Sequence, residues 1–289
     1  MKGIILAGGA GTRLAPLTAV VSKQLLPVYN KPMVYFPLAT LMLAGVREIL
    51  VISTARDLGG FKKLLGDGRR LGLKISYAVQ SRPRGIAEAL IIGEKFIGGE
   101  NCWLILGDNI FFGNALPHEL KTACLENDGA TVFGYRVSDP ERYGVLAFDK
   151  QGLPRSIHEK PARPLSNYAV TGLYLYDSRA SAFAKKLKPS ARGELEITGL
   201  NNIYLSMGAL KARKLGRGYA WLDTGTYDSM LEASNFIQAI EKRQGLQIAC
   251  VEEIAYHSGL ISRRQFASLA RELAKTPQGT YLKGVLDEL

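Results

Sequence analysis

The chain has 289 residues, with 37 Lys and Arg against 26 Asp and Glu, a formal net charge of +11. Hydrophobic residues make up 47% and charged residues 22%, which excludes a mainly disordered chain. No apolar run of about 18 residues marks a transmembrane helix, and the glycines after Lys2–Ala7 interrupt the apolar start too early for a signal peptide.

Lys2–Ala7 (KGIILA) reads as a strand running into a glycine loop. Met33–Ala44 has helical length and is apolar nearly all round, which predicts a buried helix with Pro37 kinking it or lying near its start. Glu48–Ser53 is a second strand, Leu58–Leu65 a helix closed by Gly66 and Gly68, and Leu73–Val79 a third strand. Gly85–Ile97 is expected to be one helix, with Ile86, Leu90, Gly93 and Ile97 on its packed face. Cys102–Leu106 (CWLIL) is an apolar strand ending at Gly107-Asp108-Asn109. Such alternation predicts a mainly parallel sheet. Further on, strands are expected at Ala130–Val137, Val145–Phe148, Arg155–His158, Tyr168–Tyr176 and Ala209–Lys214, some of them antiparallel. Ser178–Leu187 and Leu195–Met207 read as helices, and a long helix runs from Tyr227 to Gln244 with Gly245 as its stop signal. Two more helices, Ser262–Lys275 and Gly279–Leu286, close the chain.

The segment Leu6-Ala-Gly-Gly-Ala-Gly-Thr-Arg-Leu14 follows the first strand directly. Its glycines let several backbone N–H groups converge on an anion, Thr12 adds a hydroxyl, and Arg13 adds a fork suited to phosphate oxygens. It is not a dinucleotide fingerprint, because Leu14 stands where that motif needs Gly or Ala. Nor is it a Walker A loop, since no Gly-Lys pair occurs in the chain. A phosphate-bearing ligand is therefore expected on a different arrangement. Between Lys150 and Arg217 the chain carries 13 basic against 4 acidic residues, which favours phosphates further. No helix-turn-helix, zinc finger or RNP motif is present, so nucleic acid and membrane are not expected partners. Cys102, Cys124 and Cys250 lack metal-ligand spacing and fit free thiols in a cytoplasmic protein.

Read together, L-A-G-G-x-G-T-R-L-x-P-L-T, then S-K-Q-L-L-P-V-Y-x-K-P-M from Ser22, resemble the sugar-phosphate nucleotidyltransferases. The likeness continues through Leu106–Asn109, Asp139–Gly144, Glu159–Pro161, Ser166–Gly172, Arg192–Thr198 and Ala220–Gly225, in the family's order along essentially the whole chain. It is strongest to the branch that transfers a thymidylyl group to glucose 1-phosphate. The resemblance implies an α/β fold: a Rossmann-like nucleotidyltransferase core with a mixed, mainly parallel sheet and a helical C-terminal appendage. Residues 1–245 would form the core, 1–110 its nucleotide-binding half and 111–245 its sugar-binding half, and 246–289 the appendage. The implied reaction condenses dTTP with α-D-glucose 1-phosphate to dTDP-glucose and pyrophosphate, using Mg²⁺. The alternatives are the same chemistry with UTP or another hexose 1-phosphate, or a non-catalytic sugar-nucleotide sensor on the same fold.

By the same resemblance Asp108 and Asp223 would hold the metal, while Arg13, Lys23 and Lys160 complete the catalytic set. Leu6, Gly8, Gly9, Gly11, Thr12, Arg13, Lys23, Gln80, Gly85 and Asp108 would bind the nucleotide. Gln80 is expected to offer an acceptor to N3–H and a donor to O4 of thymine. Asn109, Tyr143, Gly144, Glu159, Lys160, Val170 and Trp221 would bind the sugar phosphate. A homotetramer with a second, regulatory nucleotide-sugar site is also implied, with Met33–Ala44 and the tail helices as candidate interfaces. The sequence departs from the thymidylyltransferase pattern at Arg82, Arg84, Ile86, Glu88, His158 and Gly199. These bear on sugar and base specificity and leave every proposed phosphate or metal group in place.

Overall fold

The computed structural model describes residues 1–9 and 11–288; Ala10 of the glycine loop and Leu289 of the expected appendage lie outside the described residues. Strand β1 (Lys2–Ala7) is buried from Ile4 onward. Its side chains alternate between two cores, Ile5 and Ala7 on one face, Ile4 and Leu6 on the other. A sheet apolar on both faces needs helices on both.

Beyond the glycine loop, β2 (Pro27–Val28) and β3 (Lys31–Pro32) form a small hairpin, followed by α1 (Tyr35–Leu43), β4 (Glu48–Ser53), α2 (Leu58–Leu65) and β5 (Lys74–Val79). Next come α3 (Glu88–Ile92), α4 (Glu94–Ile97), β6 (Cys102–Leu106), β7 (Asn109–Phe112) and α5 (Leu116–Glu126). Strands β1, β4, β5 and β6 are mutually parallel, in the order β5-β4-β1-β6. Parallel neighbours need crossovers, and α1, α2 and the α3–α4 pair supply them. The chain builds outward from β1 through β4 to β5, then returns to β1's other side with β6. The crevice beyond the carboxyl ends of β1 and β6 is thus a topological switch point, where open α/β sheets hold ligands.

The rest of the sheet comes from β8 (Ala130–Arg136), β9 (Gly144–Phe148), β10 (Pro154–Glu159) and β11 (Tyr168–Tyr176). After α6 (Ala180–Ala184) and α7 (Ile197–Ser206), β12 (Leu210–Leu215) pairs with β8 in parallel. Among the described residues this makes a nine-stranded mixed sheet, with β11 antiparallel to β6, β8 and β9. Strand β13 (Ala220–Asp223) leaves it and pairs with β7 as a separate antiparallel ribbon. Four helices finish the chain: α8 (Tyr227–Gln244), α9 (Val251–His257), α10 (Arg263–Glu272) and α11 (Pro277–Asp287). None of the described helices is long and apolar enough to cross a membrane.

One expectation needs correction. Gly85–Ile97 is not one helix. Gly85 has φ +103°, and a Cβ there would lie 2.4 Å from the Leu195 carbonyl oxygen, so this residue belongs to a tight crossing of two loops. The helical part starts at Glu88, and Gly93 joins α3 to α4 with a right-handed backbone, its N–H donating to the Ala89 carbonyl at 2.9 Å; a Cβ there would lie 2.6 Å from Ile4 Cδ1 on β1. Helix α1 is buried from Phe36 to Met42, with Leu38, Ala39, Leu41 and Met42 in the same core as Val251, Ala255 and Phe266 of the tail, while Phe36, Ala39, Thr40 and Leu43 line a cavity of about 380 Å³ shared with Ile248, Ile254 and His257.

At the start of α8, Thr226 and Ser229 form a capping box, Thr226 Oγ1 accepting from the Ser229 N–H at 3.2 Å. Thr226→Ala should lower stability by about 1 kcal/mol, read as a lower denaturant midpoint with an unchanged slope. An unchanged midpoint would mean the cap carries no weight.

Candidate active site

The glycine loop leaves β1 at the switch point, and β6 ends beside it, Gly107 N–H donating to the Leu6 carbonyl at 2.9 Å. Asp108 follows at once. The register of β13 on β7 then sets Asp223 opposite Asn109. Two carboxylates 115 residues apart in sequence are thereby brought to one corner. The Thr224 hydroxyl and N–H donate to the Asp108 carbonyl at 2.8 and 3.2 Å, holding the two strand ends together.

The two carboxylates differ in surroundings. Lys23 Nζ donates to Asp108 Oδ2, and Asn109 Nδ2 donates to Oδ1 at 3.1 Å. Burial pushes the Asp108 carboxyl up, but the Lys23 charge and these hydrogen bonds outweigh it, and the group sits below the ordinary carboxylate range. Asp223 is shifted the other way, first by burial and then by the Asp108 charge, with Lys23, Arg13 and Arg142 offsetting part of it. One buried anion beside another, with cations around them, leaves room for more positive charge.

Around this corner lie two cavities. One, of about 250 Å³, is lined by Asn109, Tyr143, Gly144, Glu159, Lys160, Val170 and Trp221, the whole expected sugar-phosphate set. Arg13, Asp108 and Asp223 also line it. Asn109 is fixed on both sides, its Oδ1 accepting from Trp221 Nε1 at 2.6 Å and from the Gly172 N–H at 3.0 Å. Trp221 is therefore more than an apolar wall, and Gly172 has no room for a side chain, since a Cβ would lie 2.6 Å from Asn109 Oδ1. Lys160 has φ +42°, a left-handed conformation uncommon for a residue with a side chain.

The second cavity, of about 200 Å³, is lined by Leu6, Gly8, Gly9, Lys23, Gln80, Gly85 and Asp108. Gly11 and Thr12, expected on the nucleotide side, line neither cavity; they belong to the turn that presents Arg13, and Thr18 Oγ1 donates to the Gly11 carbonyl at 2.8 Å. Gln80 lines the cavity, but its amide nitrogen is already committed. It donates to Glu88 Oε2 at 2.8 Å and to the Gly85 carbonyl at 3.3 Å, so the expected donor to O4 is not free.

Sequence reasoning missed several residues. Arg192 donates to Glu159 Oε1 at 3.3 Å and Thr198 Oγ1 to Oε2 at 2.6 Å, so each oxygen of Glu159 already has a protein partner. Arg142 lines the sugar-side cavity, and Glu194 lines both. Arg192, Glu194 and Thr198 stand inside motifs that carried the resemblance, which was the available signal.

A glycine loop at a switch point, with two carboxylates and two adjoining cavities beside it, is an arrangement suited to holding two phosphate-bearing substrates side by side. The Nucleotidyl transferase family model matches residues 2–240, and the chain belongs to this family of enzymes, in the glucose-1-phosphate thymidylyltransferase group. It is 58% identical to the glucose-1-phosphate thymidylyltransferase of Neisseria meningitidis over 99% of both chains, and 51% identical to that of Mycobacterium tuberculosis, again over 99% of both. A Bacillus anthracis protein assigned as a glucose-1-phosphate thymidylyltransferase, solved with sucrose, superposes with a TM-score of 0.75 at 43% identity, covering 82% of this chain and 94% of that one. A UDP-glucose pyrophosphorylase complexed with UDP-glucose shares the fold, with a TM-score of 0.73 at 24% identity over 84% and 99% of the two chains.

Proposed function

We propose that the chain condenses dTTP with α-D-glucose 1-phosphate to give dTDP-glucose and pyrophosphate. The observation that carries this reading is that Asp108 lines both cavities, with Gln80 in one and Glu159 in the other. Two substrates seated there meet beside Asp108 and Asp223.

The base lies against Gln80 and Gly85, and the triphosphate runs over Gly8, Gly9 and Lys23 toward Arg13. The hexose hydroxyls face Glu159, Asn109 and the Gly144 backbone, and Lys160 holds the 1-phosphate. A 1-phosphate oxygen attacks the α-phosphorus, a new P–O bond forms, and the α–β bridging bond breaks with its electron pair leaving on pyrophosphate. The nucleophile is a phosphate monoester with a second pKa of about 6, so no general base is required. The protein's work is alignment of two anions and dispersal of charge.

The donor set suits Mg²⁺, which takes one or two carboxylates and completes its shell with substrate phosphates and water. Asp108 Oδ1 and the Asp223 carboxylate are the groups that would hold it. When bound it supplies positive charge to the reacting phosphates. Residues 1–110 carry most of the nucleotide contacts and 111–245 most of the sugar contacts in this reading, with Arg13 and Glu194 crossing over, and 246–289 as a helical appendage. A cytoplasmic homotetramer remains part of the proposal, with α1 and the tail helices as candidate interfaces.

Incubation with Mg²⁺, four nucleoside triphosphates and several sugar 1-phosphates, assayed for pyrophosphate, tests the reading. Release with dTTP and glucose 1-phosphate above all other pairs is expected. Binding of dTDP-glucose without turnover of any pair would favour a sensor. Trp221→Phe keeps a ring but loses the N–H that holds Asn109, so KM for glucose 1-phosphate should rise about tenfold while KM for dTTP stays within about twofold. Equal rises in both constants would detach Trp221 from the sugar side.

A further inference from the structure

Glu88 is a buried carboxylate, 7% exposed, with no part in the chemistry described above. It opens α3, eight residues after Gln80. One oxygen, Oε2, accepts from Gln80 Nε2 at 2.8 Å; the other, Oε1, is held by Arg84 Nε at 2.9 Å. Gln80 is itself buried, 5% exposed, at the end of β5. Its Oε1 lies 2.7 Å from the point where a Gly8 Cβ would stand, so the oxygen faces the glycine loop.

We propose that Glu88 is a specificity-determining positioning residue: acting through Gln80, it fixes a hydrogen-bond acceptor toward the base, so that the site takes pyrimidines bearing N3–H and rejects cytosine. This inference rests on the placement of the base against Gln80 proposed above. The physical reason is the one-sided chemistry of a carboxylate. An amide can present either its oxygen or its nitrogen, and a lone glutamine can flip to suit thymine or cytosine. A carboxylate only accepts, so the amide nitrogen must turn toward Glu88. The Gly85 carbonyl, 3.3 Å from the same nitrogen, adds a second acceptor on that side. A flipped amide would set its oxygen against two acceptors and leave its N–H groups unpaired. The Gln80 oxygen therefore stays on the ligand side. It meets a donor in thymine or uracil, whose N3 carries hydrogen, and a lone pair in cytosine, whose N3 does not. Arg84 steadies the carboxylate from the exposed end of the loop.

The Glu88→Gln substitution is nearly isosteric but offers both an oxygen and a nitrogen, so Gln80 finds a hydrogen-bond partner in either orientation. The experiment measures kcat/KM for dTTP and dCTP with glucose 1-phosphate in wild type, Glu88→Gln, Gln80→Ala and the double variant. Glu88→Gln should lower the dTTP:dCTP ratio about tenfold, the size of one charged hydrogen bond lost from the orientation balance. In the Gln80→Ala background the same change should alter the ratio by less than about twofold, because the group it orients is gone. A purely structural role for Glu88 would lower both substrates together and leave the ratio alone. An unchanged ratio in Glu88→Gln, or an equal change with and without Gln80, overturns the proposal. If Glu88→Gln does not fold, Arg84→Ala at the exposed end should shift the ratio in the same direction by about two- to threefold, and no shift overturns it. Calorimetric binding of dTTP and dCTP separates this inference from the reaction itself. No turnover with a Glu88-dependent binding ratio sinks the reaction, whereas turnover with a Glu88-independent ratio sinks the inference.

Discussion

If Asp108 and Asp223 hold Mg²⁺ as proposed, Asp108→Asn and Asp223→Asn should each lose at least about a thousandfold in kcat at saturating Mg²⁺ while remaining folded, because each would remove a charge worth several kcal/mol in the transition state. Their effects on stability should be opposite. Asp108 has its carboxyl held below the ordinary range, so its ionised form stabilises the fold above the unfolded pKa, and that stabilisation is lost as pH falls through the lowered value. Asparagine there leaves Lys23 without its partner and should lower the melting temperature at neutral pH. Asp223 has its carboxyl held above the ordinary range by burial and by the Asp108 charge. Its ionised form is disfavoured in the fold, a cost present at neutral pH and relieved as pH falls through the raised value. Asparagine at 223 should therefore raise the melting temperature in chelator-treated protein while abolishing turnover. Kinetics with and without excess Mg²⁺, paired with calorimetry in chelator, check both halves. Near wild-type kcat in either variant would sink the two-carboxylate reading, and a lower melting temperature for Asp223→Asn would sink the like-charge account.

Arg13→Ala should cost about 2.7–4 kcal/mol in the transition state, a fall of about 10²–10³ in kcat, with a smaller rise in KM for dTTP. The guanidinium stands on the Thr12–Leu14 turn, which Gly11 enters at φ +60°. It reaches the space over Gly225, where a Cβ would lie 3.1 Å from Arg13 Nη2 and 3.2 Å from Asp223 Oδ1. In the proposed reaction a cation beside the carboxylate pair would face phosphates whose charge redistributes as the α–β bond breaks. Arg13→Lys keeps the charge but loses the planar fork, and should recover only part of the rate. A change confined to KM would assign Arg13 to ground-state binding.

The elements legible in sequence were those with a local signature. β1, β4 and β6 are short apolar runs bounded by breakers, and the structure places them as buried neighbours. The long helix ending at Gly245 was legible from its 3.6-residue period and its glycine stop, and Gly245 has φ +71°. Other elements left weaker traces. Helix α5 begins with Leu-Pro and buries only Leu116, Leu120 and Ala123. Helix α9 is seven residues long, too short for its period to stand out. The late start of α3 was illegible because what holds Gly85 out of the helix, its crossing with the Leu195 backbone, lies far away in the chain.

The linear chain already displays the chemical inventory: a glycine loop after a strand, an arginine and lysines near it, two acidic residues at strand ends, and motifs in a family's order. Those features depend on residue type and near neighbours, which a linear chain displays directly. How they meet is set by the fold. The β13–β7 register brings Asp223 to Asp108, and the β5–α3 approach turns the Gln80 nitrogen to Glu88 and its oxygen to the loop. Arg192 and Thr198 close on Glu159 across more than thirty residues of chain. Register, amide orientation and unequal carboxylate environments arise from contacts between distant segments, where packing and charge within a few ångströms set the outcome and local periodicity carries no record of it.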